Sequence, residues 1–167
     1  QIHLLDVGAG PITSVGYRYA GKRLHITAID ELASAYDKIL RAARVQVPVP
    51  TIYGQGETLS EQFKAQRFDI THARNALDHM ADPLRAIEEM IAVTRIGGYV
   101  VLQHAINEGL NNSYTGLHQW NLCEEAGDFI VWSNGQRTNV TQTVARRCSV
   151  ETEVRGEWLF VTLRRTR

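Results

Sequence analysis

The stretch "DVGAGPITSVG", Asp6–Gly16, sets three glycines directly behind the apolar run "IHLLDV", Ile2–Val7. The run reads as a buried strand, and Gly8, Gly10 and Gly16 as the turn that leaves it. Glycine there permits a tight turn and lets backbone come close to a ligand. Pro11 suits the first turn of a following helix, where its missing N–H costs nothing. The dinucleotide spacing G-x-G-x-x-G requires glycine at position 13, and Thr13 stands there instead. A bare strand–turn–helix gives the same local signal, so the rest of the chain has to decide.

Working outward, short apolar runs alternate with amphipathic segments, the pattern of a parallel sheet covered by helices. "RLHITAID" (23–30) reads as a second strand. "ELASAYDKILRAAR" (31–44) follows as a helix with Leu32, Tyr36, Ile39, Leu40 and Ala43 on one face. Pro48 and Pro50 break that helix before the short strand "TIY". "RFDITHA" (67–73) is a fourth strand, and Asp82-Pro83 opens a helix with Leu84, Ile87, Ile91 and Val93 inward. Gly97-Gly98 is expected to stop that helix ahead of the strand "YVVLQHA". The rhythm then changes: "NEGLNNSYTGLHQWN" has little periodicity and reads as a long functional loop. Asn134-Gly135 marks a hairpin, "TNVTQTVARR" a short helix, and "SVETEVRGEWLFVTLRR" a closing hairpin that turns near Arg155-Gly156.

Composition narrows the function. The 167 residues suit one domain, 1–167, with the polar loop and hairpin as an insertion at about 105–140. Lys+Arg and Asp+Glu balance at 18 each, so no global field recruits nucleic acid or an anionic membrane. The terminal "LRRTR" is a solvated basic tail. No apolar run approaches the roughly 20 residues a bilayer requires, and no signal-peptide pattern precedes the first strand. Cys123 and Cys148 lack CxxC spacing and fit free thiols in a reducing cytoplasm, the expected location. The sequons at Asn111 and Asn139 are then chance matches. Gln1 in place of Met suggests a fragment of a longer chain.

The spacing G-x-G-x-x-x-x-x-G, with Asp6 two residues ahead, resembles motif I of class I S-adenosylmethionine-dependent methyltransferases. The resemblance extends in order and spacing from Ile2 to Ala105, and in its less specific part to a bacterial subgroup with "NEG…Y-x-GLHQWN" after strand five. It implies a Rossmann-like three-layer α/β sandwich whose mostly parallel seven-stranded sheet has an antiparallel last strand. It implies S-adenosyl-L-methionine as cofactor, with Asp6, Gly8 and Gly10 in the turn that holds it. Asp30, ending strand two, would accept from the ribose hydroxyls, while its structural alternative is to cap the next helix. Gln55, Gly56 and Glu57 fall at the adenine position, although the family commonly has aspartate where Gln55 stands. Ala73, Arg74 and Asn75 fall where the methionine half is held.

The sulfonium makes the methyl group electrophilic, so the protein's tasks are alignment, exclusion of water and, for a hydroxyl acceptor, deprotonation. His79, with Asp78 beside it, is the expected base, and His104 at the end of strand five is a second candidate. His72 reads as a packed strand residue. Asn107, Glu108, Asn111, Tyr114, His118, Gln119 and Trp120 are hydrogen-bonding and stacking groups suited to a small polar or saccharide-like acceptor. His104, Glu108 and His118 are metal-binding residue types, but their spacing matches no ligand motif, so no metal is expected. In this family a segment before strand one commonly covers the cofactor; a missing N-terminal portion or a homodimer partner would supply it here. The rival expectation is a non-catalytic cofactor-binding module that depends on such a part.

Overall fold

Leu4, Leu5, Asp6 and Val7 are all buried because their strand is interior, paired on both edges. The computed structural model describes residues 1–16, 18–63 and 68–167. In chain order the elements are β1 (Ile2–Val7), β2 (Arg18–Tyr19), β3 (Lys22–Asp30), α1 (Ala33–Ala42), β4 (Thr51–Tyr53) and α2 (Leu59–Gln62). There follow β5 (Phe68–Arg74), α3 (Pro83–Val93), β6 (Thr94–Ala105), α4 (Glu108–Asn111), β7 (Asn121–Glu125) and β8 (Asp128–Ser133). The chain ends with β9 (Gln136–Asn139), α5 (Val140–Val144), β10 (Cys148–Arg155) and β11 (Trp158–Arg165). Short 3-10 turns occupy Gly56–Thr58 and Leu77–His79. Arg67, placed at the head of the fourth strand by sequence, lies outside the described residues.

The main sheet runs β10-β11-β6-β5-β1-β3, with β4 and β2 sharing the far edge of β3. Strands β4, β3, β1, β5 and β6 are mutually parallel, and β11 enters antiparallel between β6 and β10. The expected seven-stranded sheet with an antiparallel closing strand is therefore present, with the two-residue β2 as an eighth strand. The sheet order reverses at β1, and the carboxyl ends of β1, β3, β4, β5 and β6 form one rim. Open α/β sheets bind ligands at such a rim.

Register divides the two faces. Leu5, Val7, Ala73, Val100, Leu102, Leu159 and Val161 form a dry face, packed against α3 residues Ile87, Met90 and Ile91 and against Leu122, Phe129 and Val131. Right-handed crossovers in opposite directions put α1 on the other side. That layer is thin: Ile26, Ile70, Val101 and Phe160 remain half-buried. The expected apolar side of α1 is only partly used, since Leu32 is 50% and Ile39 61% exposed.

Two expectations are corrected. No helix follows Pro11 among the described residues; 11–16 form bends, and the chain then enters β2, which pairs back on β3. Thr13, Ser14, Val15 and Gly16 are weak helix formers. Ala20 (φ 46°) and Gly21 (φ 73°) close the hairpin instead. Likewise α3 stops at Val93, not at Gly97-Gly98. Thr94 is already extended, its hydroxyl donating to Met90 O at 2.7 Å, and the strand carries an irregularity before Tyr99 rejoins the register opposite Ile70.

Candidate active site

The turn behind β1 is held from three sides. Gly8 and Gly10 have φ of 68° and 66°, a region L-residues rarely adopt. A Cβ on Gly8 would lie 2.4 Å from Ala76 Cβ, so glycine lets the β1 and β5 turns touch. Gly10 has nothing within 4 Å of its missing Cβ, which makes this the open side. Gly10 N–H donates to Asp30 Oδ2 at 3.0 Å, and Gly10 O accepts from Thr51 Oγ1 at 2.7 Å. Asp6 is buried, accepting from Thr13 Oγ1 on one oxygen and lying 2.7 Å from His72 Nδ1 on the other. Asp6 therefore braces the turn from behind and does not face the open side. Thr13 and His72 were not singled out as site residues; the signal for both is that a buried strand aspartate requires partners.

Asp30 fastens the glycine turn and orders the approach to α1, although the N-cap residue itself is Leu32. Oδ1 accepts from Leu32 N at 2.9 Å and so organises the entry to α1, while Oδ2 holds Gly10. At the next strand end Gln55 is half-buried, and its side chain makes no hydrogen bond to the described residues. Gly56 is buried against Met80, whose Cε would lie 2.9 Å from a Cβ. Glu57 turns toward α3, accepting from Asp82 N at 3.3 Å. Asn75, at φ 47°, ties two strand ends: its N–H donates to Gln103 O and its Oδ1 accepts from Ala105 N. Arg74 is exposed and lies over the Trp158 ring at 5.4 Å.

Asp78, His79 and His118 meet beyond β5. Asp78 Oδ2 is 2.7 Å from His118 Nδ1 and 3.3 Å from His79 Nε2, and those nitrogens are 3.2 Å apart. The Asp78 side chain is 1% exposed, against 34% for His79 and 30% for His118. Asp78 Oδ1 is buried without a partner. His104 stands apart from this group: it is fully buried, both ring nitrogens lack partners, and burial, with like charge from His72 and His79, lowers its pKa to about 3. A base that weak holds no proton at neutral pH.

The residues 5–102 match the family model described as "Methyltransferase domain". The chain belongs to this methyltransferase-domain family. It is 28% identical over 109 residues to an uncharacterized methyltransferase of Schizosaccharomyces pombe, covering 61% of this chain and 39% of that one. Among solved structures it resembles the CurJ carbon methyltransferase (TM-score 0.64, 16% identity, 99% of this chain and 49% of that one). It also resembles the N-methyltransferase NodS of Bradyrhizobium japonicum, solved with S-adenosyl-L-homocysteine (TM-score 0.57, 15% identity, 99% and 79%). The chain spans about two-fifths of the length of its curated relative and half that of the carbon methyltransferase.

In this methyltransferase domain the segment after β6 is more ordered than a bare loop. It forms α4 and a second sheet, β7-β8-β9. Several expected acceptor groups are engaged internally. Asn107 Oδ1 accepts from Trp132 Nε1 at 3.2 Å, and Asn121 Nδ2 donates to Tyr114 Oη at 3.0 Å. Asn111 Nδ2 donates to Ile106 O, and Gln119 Nε2 to Tyr114 O and Gly116 O. Trp120 packs half-buried against the core. Glu108 Oε2 is buried with no partner. Gln119 N–H donates to Asp78 O at 3.1 Å, and this backbone bond carries His118 to the rim.

Proposed function

We propose that this domain binds S-adenosyl-L-methionine on the Gly8–Gly10 turn and transfers its methyl group to a small polar, saccharide-like acceptor. The observation that carries the reading is the turn itself: two positive-φ glycines at the sheet's switch point, one side open and the backbone fastened to Asp30. Each Asp30 oxygen accepts one N–H and keeps a second lone pair for a ribose hydroxyl. Gln55, with no hydrogen bond of its own to the described residues, suits the adenine amino group. Gly56 and the Asn75 amide line the same rim, while Arg74 and Glu57 contribute at its margins. Asp6 acts through the turn.

The cofactor supplies an electrophilic methyl on a sulfonium. The chain's part is to place an acceptor in line and exclude water, which in well-oriented systems contributes about 7–11 kcal/mol. The Asp78–His79–His118 group, beside the turn through Ala76, is where an acceptor hydroxyl loses its proton. His104 is shielded from that role by burial and by its low pKa. Asn107, Glu108, Tyr114, His118 and Trp120 shape the acceptor side, Asn107 and Tyr114 mainly by ordering the loop. Two buried free thiols, Cys123 and Cys148, suit a reducing compartment such as the cytoplasm. No described helix is long and apolar enough to cross a membrane.

The test is release of S-adenosyl-L-homocysteine from methyl-labelled cofactor, with label transfer to a panel of sugars, polyols and amines. Acceptor-dependent release, strongest with hydroxyl compounds, supports the reading. Binding without release for every acceptor supports the cofactor-binding module instead.

A further inference from the structure

We infer that Asp78, His79 and His118 form a binding site for a divalent transition cation, zinc being the best-fitted ion. Three lone-pair atoms converge: Asp78 Oδ2, His79 Nε2 and His118 Nδ1, with separations of 2.7, 3.2 and 3.3 Å. Ligands about 2.0–2.1 Å from a tetrahedral zinc lie about 3.3 Å from one another, so two of the three separations already fit, and the Asp78–His118 pair at 2.7 Å opens by about 0.6 Å on binding. A hydrogen-bonded chain would string these groups in a line. Here they form a triangle, with the two rings edge-to-face at 68° so that both nitrogens reach the same oxygen.

The second observation is Asp78 itself. Its carboxyl is 1% exposed, and its other oxygen, Oδ1, has no partner. A buried carboxylate served only by two imidazoles is poorly compensated, and a full cationic charge beside it removes that cost. The frame is also held in advance. Asp78 and His79 share the 3-10 turn at Leu77–His79, and Asp78 O accepts from Gln119 N, beside His118. Among the described residues no other three His, Cys, Asp or Glu side chains converge in this way. Two imidazoles and one carboxylate favour zinc, cobalt or nickel over magnesium or calcium, which prefer all-oxygen ligands. Three protein ligands leave further positions for water or an acceptor oxygen, on the side where both histidines are part-exposed.

Cation binding stands independently of the enzymatic reading. What rests on that reading is the consequence: a cation-held acceptor hydroxyl would ionise near neutral pH, its proton passing to solvent, and the alkoxide oxygen would form the O–CH3 bond as the S–CH3 bond breaks, its electron pair returning to sulfur and S-adenosyl-L-homocysteine leaving. The imidazoles then hold the cation and not the proton.

The experiment is calorimetric titration of chelator-treated protein with zinc chloride alone, with metal content read by mass spectrometry and the cobalt form by its visible spectrum. The expected result is one zinc per chain, with affinity reduced at least tenfold in both His79→Ala and His118→Ala. The expected cobalt spectrum is that of nitrogen and oxygen ligation. His3 and His25 also stack, at 5.2 Å, on the opposite end of the sheet, so His25→Ala is the control and leaves binding unchanged. Loss of binding in His25→Ala, or no saturable zinc uptake by the folded wild type, overturns the inference. If His118→Ala does not fold, His118→Gln and the wild-type cobalt spectrum decide. A parallel titration with S-adenosyl-L-homocysteine separates the two claims. Binding of that nucleoside without zinc overturns only the metal site, and zinc without the nucleoside overturns only the cofactor reading.

Discussion

Thr13 Oγ1 donates to Asp6 Oδ2, closing the glycine turn onto the strand it has just left. The same Thr13 oxygen accepts from Val15 N at 3.1 Å, so one hydroxyl orders the stretch where a helix was expected. Thr13→Val keeps the shape and removes both bonds, leaving a lone pair of a buried carboxylate without its donor. Such a loss costs about 1.5–3 kcal/mol. Chemical denaturation is expected to show it, and calorimetry a severalfold weaker hold on S-adenosyl-L-homocysteine. Thr13→Ser restores both.

Gly8 and Gly10 separate packing from binding. Both require positive φ, which costs an L-residue about 1–2 kcal/mol. Gly8→Ala adds a collision with Ala76 Cβ at 2.4 Å, and overpacking of that kind adds about 1–3 kcal/mol. Thermal melts are therefore expected to place Gly8→Ala well below Gly10→Ala. Gly10→Ala, whose methyl enters open space, is expected to lose cofactor affinity with the smaller loss of stability.

Much of this was legible in the sequence, for physical reasons that differ by element. β1, β3 and β5 follow apolar runs long enough to be buried on both edges, and Asn134-Gly135 and Gly156 sit at the turns of real hairpins. Asp82 caps α3, accepting from Arg85 N at 2.9 Å, as its place before Pro83 suggests. The region after Pro11 departs from the expected helix because Gly16, Gly21 and the β-branched Ile12, Thr13 and Val15 outweigh one favourable proline. Thr94 similarly looked like helix interior, although its buried hydroxyl bonds to Met90 O and Thr71 Oγ1 mark a helix end. Around the glycine turn, the place of Asp30 at the neighbouring strand end was readable from position. The Asp78–His118 pairing was not, because 40 residues separate the two and no local spacing signals a contact that forms only when the segment after β6 folds back on the Leu77–His79 turn.

His104 makes stability depend on pH. The unfolded chain protonates it near pH 6.5, the folded chain only near pH 3, because burial and the charges of His72 and His79 oppose the cation. Between those values the unfolded state binds more protons, so acidification lowers stability and the penalty is absent above pH 6.5. Urea unfolding at pH 8, 6 and 4.5 is expected to show His104→Phe gaining on the wild type as pH falls. A constant difference across that range would contradict the assignment.

Arg165 holds the end of α3. Its Nη1 donates to Ile91 O and Ala92 O in the last turn of α3 and to Thr94 O at the start of β6, at 2.9, 3.0 and 2.6 Å. Arg165→Met keeps the apolar stem and removes the donors. It is expected to cost about 1.5–3 kcal/mol, a fall of several degrees in Tm, measurable by calorimetry. Arg165→Lys recovers only part, since an ammonium cannot reproduce the planar fork.

The most direct measurement is calorimetric titration of the chain with S-adenosyl-L-homocysteine and with NAD, for the wild type and for Asp30→Ala. The account predicts saturable binding of the first, none of the second, and at least a tenfold loss in the variant, which gives up the ribose acceptors and the brace on Gly10. Equal affinity in folded Asp30→Ala and wild type, or binding of NAD in place of S-adenosyl-L-homocysteine, would contradict it.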